Sequence, residues 1–426
     1  MFKPSLNRTL AVTALMLLSA SVAWSSSVKL LYEFSGRNGR GPSSNLVTDA
    51  AGNAYGTVAF GGQSQAGGVY QFSPTSGYHA IYGFSGPDGR QPQGNLVMDT
   101  AGNFYGTTIY GGAYKSGCNN QGCGVVFRLS PPKNGGAWTE TVLYSFSGGD
   151  DGANPQAGVI LDSAGNLYGT TEFGGSNGLG TVFEVSPAQG GTWTEIVILS
   201  VFEGLSPLGS LVFDDAGNLF GTTGSSGPQG GGTVFGLSPG PGGTWTYTLV
   251  YAFDGFNGSQ DGDGPGAGLI FDNAGNLCGT TEYGGKYRQG GNFGYGTVFE
   301  LSPNFDGTWT ESILYSFAGG SDGAVPQTAL AFDPAGNLYG TTLQGGSGGF
   351  SCLGNGCGTV FALVPDGQGG WNKRSFHLPG DGHLGVFPSV PGPPLVKNGR
   401  VYVTTNDAAN QAQCSGTCGT ILQFTP

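Results

Sequence analysis

Apolar and polar residues alternate along most of the chain in short, strand-length runs, separated by Gly-, Ser- and Asp-rich turns, and one set of four runs keeps returning. The first resembles LVFD and leads into an AGN turn; the second resembles LYGTT and leaves it, so the two predict a hairpin. The third is GTVFELSP, as at 296–303. The fourth is WTESILYSF, at 309–317, rich in aromatic and β-branched residues. We term these strands a, b, c and d.

The turn glycine recurs at Gly52, Gly102, Gly165, Gly217, Gly275 and Gly336, with a degenerate seventh at Gly399 in KNGRVYVTT. Successive separations are 50, 63, 52, 58, 61 and 63 residues. These are longer than most helical repeats and match a four-stranded propeller blade with generous loops. Strand c occurs seven times, the last being GTILQFTP at 419–426, with no d strand after it. The complement lies at the other end, where VKLLYEFSG at 28–36 is a d strand with no a, b or c before it. Seven complete blades result only if Val28 to Phe34 pairs beside Gly419 to Phe424, which also removes two exposed sheet edges. The expected fold is all-β: one seven-bladed β-propeller of four-stranded blades over 24–426, its ring closed by the N-terminal strand. A solenoid needs no such complement, and an outer-membrane barrel needs strands of about 9 to 11 residues.

Composition agrees. Glycine supplies 85 of 426 residues and charged residues only 10%, which excludes a helix-rich chain, since each interior helical Gly costs roughly 1 kcal/mol against Ala. The glycines do not fall every third residue, so collagen is excluded. At 38% hydrophobic and 12% aromatic there is material for a core, against bulk disorder.

Lys3 and Arg8 precede an apolar stretch, Leu10 to Leu18, and small residues ending Ser21-Val22-Ala23, the pattern of a secretory signal peptide over 1–23. No later segment approaches the ~20 apolar residues of a membrane span. Without residues 1–23 the chain holds 13 Lys and Arg against 27 Asp and Glu, a formal charge of −14. Nucleic acid and anionic lipid are poor partners for such a surface. The expected location is secreted, extracellular or periplasmic.

Six of seven cysteines form close pairs, Cys118/Cys123, Cys352/Cys357 and Cys414/Cys418, each just before a c strand. Zinc would require loops of different repeats to converge and has no nearby histidines; in an oxidising compartment local disulfides are favoured. Cys278, in NLCGTT, replaces a Tyr or Phe of other repeats and reads as a buried free thiol.

The string D-x-AGNLYGTT-x-x-GG…GTVF-x-LSP…GTWTE-x-x-LYSF-x-GG-x-DGA-x-P resembles the tandem GloVer (Gloeobacter/Verrucomicrobia) extracellular repeat over nearly all of the chain beyond the signal. Its AGN hairpins are also loosely similar to NHL repeats and gluconolactonase-type propellers. The first resemblance implies an exported bacterial repeat protein, often surface-anchored by an anchor that varies among members; the chain departs from that pattern, with no apolar tail before Pro426 and no lipobox cysteine after the signal. It implies no established activity.

In this strand order the b–c and d–a loops emerge on one face, and the b–c loops vary most in length, which directs the search for a site there. After each GTT, four repeats place an aromatic at one position: Phe60, Tyr110, Phe173 and Tyr283. Such rings suit the C–H faces of sugars, or else pack blade against blade. Glu172 and Glu282 occupy matching positions in blades three and five, as an acid–base pair for a glycosidic bond or as solvated loop acids. Arg40 and Arg90 share a place in the first two d–a loops, to meet an anionic group or solvent. Asp261 and Asp263, in QDGDGPG, have ligand-like spacing for calcium, although Asp-Gly before Pro is also ordinary turn chemistry. No other cofactor is expected. No nucleophile elbow, HExxH motif or phosphate loop is present, and the three histidines lack an obvious serine partner, against a triad. The leading expectation is a non-enzymatic module binding an extracellular glycan or protein through this loop face. The alternative is a carbohydrate-active or lactonase-like hydrolase using carboxylates at the central channel.

Overall fold

The computed structural model describes residues 27–36, 38–114, 118–133, 135–202, 206–255, 260–287, 293–346, 356–377, 393–406 and 418–426. The proposed signal peptide lies outside them. The chain forms a seven-bladed propeller of four-stranded antiparallel sheets. We number the blades by their turn glycines, from blade 1 at Gly52 to blade 7 at Gly399. Blade 3 is representative: Ile160–Leu161, Leu167–Thr171, Thr181–Pro187 and Trp193–Ser200 pair in that order. The a strands are short, two or three residues each.

Each repeated motif has a packing reason. The last Thr of GTT faces the Thr of GTV, and in blades 3 to 7 their buried hydroxyls bond, as Thr171 with Thr181 at 2.9 Å and Thr405 with Thr420 at 2.7 Å. The Gly of GTT makes room for the Phe of GTVF, since a Cβ on Gly340 would lie 2.5 Å from Phe361 Cζ. That Phe is in turn struck edge-on by the final Phe of the preceding d strand. Phe84–Phe127, Phe146–Phe183, Phe253–Phe299 and Phe317–Phe361 all have centroids 5.0 to 5.1 Å apart. Such pairs add about 1 kcal/mol each beyond their area burial.

The strand Ser27–Glu33 pairs antiparallel with Thr420–Thr425, Ser27 opposite Thr425 and Glu33 opposite Thr420, and so is the fourth strand of blade 7. Its Phe34 meets Tyr70 of blade 1 edge-on at 5.2 Å, as the d-strand Phe does elsewhere. Seven hydrophobic clusters join consecutive blades, and one of them unites Phe34, Ile421 and Cys418 with Leu46, Val58 and Tyr70, joining the last blade to the first.

The axis is crossed by polar side chains. Asn95 Nδ2 of blade 2 lies 3.3 Å from Ser210 Oγ of blade 4, and Asn95 Oδ1 accepts from the N–H of Asn45 in blade 1 at 2.9 Å. Contact between non-adjacent blades 2 and 4 requires the a strands to converge at the ring centre.

Candidate functional site

The d–a loops are shaped by a device repeated in blade after blade. In four of these loops the Asp of the DG turn accepts from a Tyr of the preceding d strand: Tyr82 to Asp88 at 2.6 Å, Tyr144 to Asp151 at 3.0 Å, Tyr251 to Asp261 at 3.3 Å and Tyr315 to Asp322 at 2.8 Å. Beyond the turn the chain passes through a left-handed residue just before Pro, at Gly41, Gln91, Asn154, Ser206, Gly264 and Val325, with φ between 54° and 73°. This conformation is disfavoured for non-Gly residues and again before Pro. It is held by hydrogen bonds on both sides: Asn154 N–H donates to Cys123 of the preceding blade at 2.8 Å, and its carbonyl accepts from Glu172 at 3.3 Å. The loop is thereby pinned with the Asn154 side chain at the seam.

The result is a cleft of about 630 Å³ between blades 2 and 3 on the b–c/d–a face. Tyr110 and Phe173 line it together with Gln91, Gln93, Asn154, Gln156 and Glu172. Tyr110 is half-buried, and Phe173 is 47% exposed although its backbone is locked to Ala153. Glu172 accepts a hydrogen bond from Gln156 Nε2. Burial pushes its carboxyl above the usual range, and the bond from Gln156 pulls it part of the way back.

The model of the Gloeobacter/Verrucomicrobia repeat matches residues 20–133 and 116–290, together more than half of the chain. The chain belongs to this repeat family. No curated protein matches its sequence. Among solved structures the repeat protein is similar to the extracellular domain of a hybrid two-component system from B. thetaiotaomicron, with a TM-score of 0.54 and 8% identity over 93% of this chain and 39% of that one. It is also similar to an ulvan lyase of polysaccharide lyase family PL25, at TM-score 0.53 and 11% identity over 91% of this chain and 94% of that one. The same lyase fold bound to -[GlcA(1-4)Rha3S]- matches at TM-score 0.53 and 12% identity, over 92% and 95%. At these identities the likeness is one of fold.

Of the other expected site residues of this Gloeobacter/Verrucomicrobia repeat protein, Arg90 adjoins the cleft residues Gln91 and Tyr110, and the rest do not line the cleft. Phe60 sits under Arg40, whose Cζ is 5.3 Å from the ring centre, so both belong to the seam of blades 7 and 1. Arg90 is exposed and pairs through its backbone with Tyr110. Tyr283 packs against Phe293, centroids 5.7 Å apart, and its strand pairs with Asp263. Glu282 is raised by burial; a hydrogen bond from Gln327 opposes this and the charge of Asp263 adds to it. Glu172 and Glu282 thus answer to different glutamines on different blades. Asp261 repeats the turn role of Asp88, Asp151 and Asp322, taking backbone N–H bonds from Asp254 and Gly262 at 3.0 and 2.7 Å. Among the described residues no group of three or more His, Cys, Asp or Glu side chains is disposed to hold a metal.

Cys118 and Cys123 form a disulfide, and Cys357 and Cys418 are disulfide-bonded as well, while Cys352 and Cys414 lie outside the described residues. Cys278 is free and buried, and burial raises its thiol far above the ordinary range. Among the described residues no helix is long and apolar enough to cross a membrane. The sequence reading missed the amide groups Gln91, Gln93, Asn154 and Gln156. The signal was there in the strings QPQ and NPQ of the d–a loops. It also missed Phe293, 58% exposed on the long b–c loop of blade 5.

Proposed function

We propose that this protein is an exported, non-enzymatic binding module that seats a glycan in the cleft between blades 2 and 3. One observation carries the reading: two aromatic side chains and a carboxyl converge with five side-chain amides, Asn119 included, on one face of a rigid ring. Sugars need flat apolar surface for their C–H faces and paired donors and acceptors for their hydroxyls, and amides supply both in fixed positions. A disulfide bordering the cleft at Cys118 fits work outside the reducing cytoplasm, after removal of residues 1–23. The fold shared with a polysaccharide-bound lyase is compatible with this reading.

Hydrolysis at the central channel is the weaker reading. Glu172 and Glu282 bond to separate glutamines, and the side chains that cross the axis are amides and a hydroxyl. A glycan array on the purified protein, with every hit incubated and assayed for new reducing ends, tests both. Binding without turnover supports the module. Turnover abolished by Glu172→Gln overturns it in favour of the enzyme.

A further inference from the structure

A second cavity, of about 410 Å³, opens on the opposite face where blades 7 and 1 meet. Lys29 of the N-terminal strand and Lys397 and Arg400 of the blade 7 hairpin line it, and among the described residues no Asp or Glu does. The described residues contain only ten lysines and arginines, so three in one cavity of a chain with formal charge −12 is a strong segregation. None of the three is ion-paired among the described residues, where the one ion pair is Lys373 with Asp322. Lys397 Nζ donates to Thr48 Oγ1 at 2.9 Å, which fixes its position without neutralising it.

The hairpin itself does not require these charges. In blades 1 to 6 the same turn is clasped by an Asp accepting from an Asn, as Asp49 from Asn53 and Asp333 from Asn337, each at 2.7 Å. Blade 7 lacks that clasp: its shorter Asn398-Gly399 turn is closed by Lys397 opposite Arg400, beside the cavity. Like charges gathered in this way repel one another unless an anion joins them. The rest of the lining includes Leu31, Phe72 and Ile421, and the volume falls within the ~300–1,000 Å³ of small-molecule sites.

We propose that this cavity binds an amphiphilic anion, its carboxylate, sulfate or phosphate head held by Lys29, Lys397 and Arg400 and its acyl body laid over Leu31, Phe72 and Ile421. Such a ligand has two sources, a free medium-chain acid or an anionic lipid in a bilayer. Calorimetric titration with octanoate and with octan-1-ol isolates the charge, and co-sedimentation with phosphatidylglycerol or phosphatidylcholine vesicles separates the sources. Lys29→Glu and Arg400→Glu reverse two exposed cations, and Lys133→Glu, an exposed cation in a turn of blade 2, serves as control. Octanoate is expected to bind one site per chain about tenfold or more tighter than octan-1-ol, each cavity reversal weakening it about tenfold and the control leaving it unchanged. Binding to phosphatidylglycerol vesicles that Arg400→Glu abolishes assigns the lipid source; octanoate binding alone assigns the free acid. Equal affinity for the alcohol, indifference to both reversals in variants that melt normally, or no octanoate binding at millimolar concentration overturns the proposal. The glycan cleft lies on the other face, so failure of one reading leaves the other standing.

Discussion

The backbone N–H of Asn154 donates to the carbonyl of Cys123 across the seam of blades 2 and 3, at 2.8 Å. The same link joins Gln91 to Ala66 at 2.8 Å, and Gly264 to Gly231, Val325 to Tyr295 and Gly41 to Cys418 at 3.0 Å. Five d–a loops are thus tied to the residue just before the Gly that opens the preceding c strand. Where that residue is Cys123 or Cys418, a disulfide stiffens the acceptor.

Breaking the staple is therefore expected to disturb the cleft more than the ring. The Cys118–Cys123 loop spans a sequence separation of 5, so its entropic contribution is small, about 2 kcal/mol in the chain-entropy model. The double variant Cys118→Ser/Cys123→Ser should melt only a few degrees lower while glycan binding falls much further. Alkylation without reductant should label no thiol in the native protein and one, Cys278, after denaturation. Labelling of Cys278 in the native state would contradict its burial.

The seam between the chain ends should behave like the other seams. Gly419 has φ +116°, and a Cβ there would lie 2.5 Å from Pro42 Cδ and from the Thr405 carbonyl. Gly52 has φ +84° with nothing near its missing Cβ. In urea titration Gly52→Ala should cost about 1 to 2 kcal/mol, the left-handed strain alone. Gly419→Ala adds overpacking and should cost roughly 3 kcal/mol or more. Deleting residues 24–36 should destabilise the whole ring by baring the edge of Thr420–Thr425. A deletion variant as stable as the parent would rule out that role.

Three glutamates make stability depend on pH. Glu140, Glu195 and Glu311 follow the d-strand Trp-Thr in blades 2, 3 and 5, and burial pushes each up to about 7, helped by the facing Asp88, Asp151 or Asp261. In blade 6 Lys373 takes this place and pairs with Asp322 at 2.7 Å. A carboxyl raised in the folded state stabilises fully below its unfolded value of 4.5 and loses that contribution as pH rises through about 7. Melting temperature should therefore rise as pH falls from 8 towards 5, and Glu311→Gln should flatten that slope. Asp49 and Asp99 act oppositely: burial works to raise them, but hydrogen bonds from Asn53 and Tyr55, and from Asn103 and Tyr105, hold them below 3.8. Their contribution is lost as pH drops through those depressed values, so stability should fall again in strong acid.

Much of the fold was legible because its devices repeat. AGN, GTT and GTVF mark a turn, a close approach to a ring and the ring itself, and the orphan d strand at Val28 fixed the blade count. The lining of the candidate cleft was legible only in part. Tyr110 and Phe173 were found from their shared repeat position, but Phe60 and Tyr283 occupy the same position and do not line the cleft. What differs is the loop opposite each, and loop insertions cannot be aligned from one chain alone. The cationic cavity was invisible for a simpler reason: Lys29 and Arg400 belong to opposite ends of the chain and meet only when the ring is assembled.

The aromatic pair gives the sharpest test of the cleft. Phe173 keeps nearly half its surface in solvent, so Phe173→Ala removes little buried area and should leave the melting temperature nearly unchanged. Tyr110 is half-buried, and its truncation should cost a little more. If both rings carry a sugar, either alanine should weaken a glycan found by array by about tenfold, near 1.4 kcal/mol. Tyr283→Ala, on blade 5, should leave that affinity alone because Tyr283 packs with Phe293 outside the cleft. Glu172→Gln separates the two uses of that carboxyl. A neutral amide keeps hydrogen-bonding capacity, so binding should survive, whereas an acid catalyst could not. Loss of several kcal/mol of stability in Phe173→Ala, the cost of truncating a core aromatic, would place the ring in the core and remove the site.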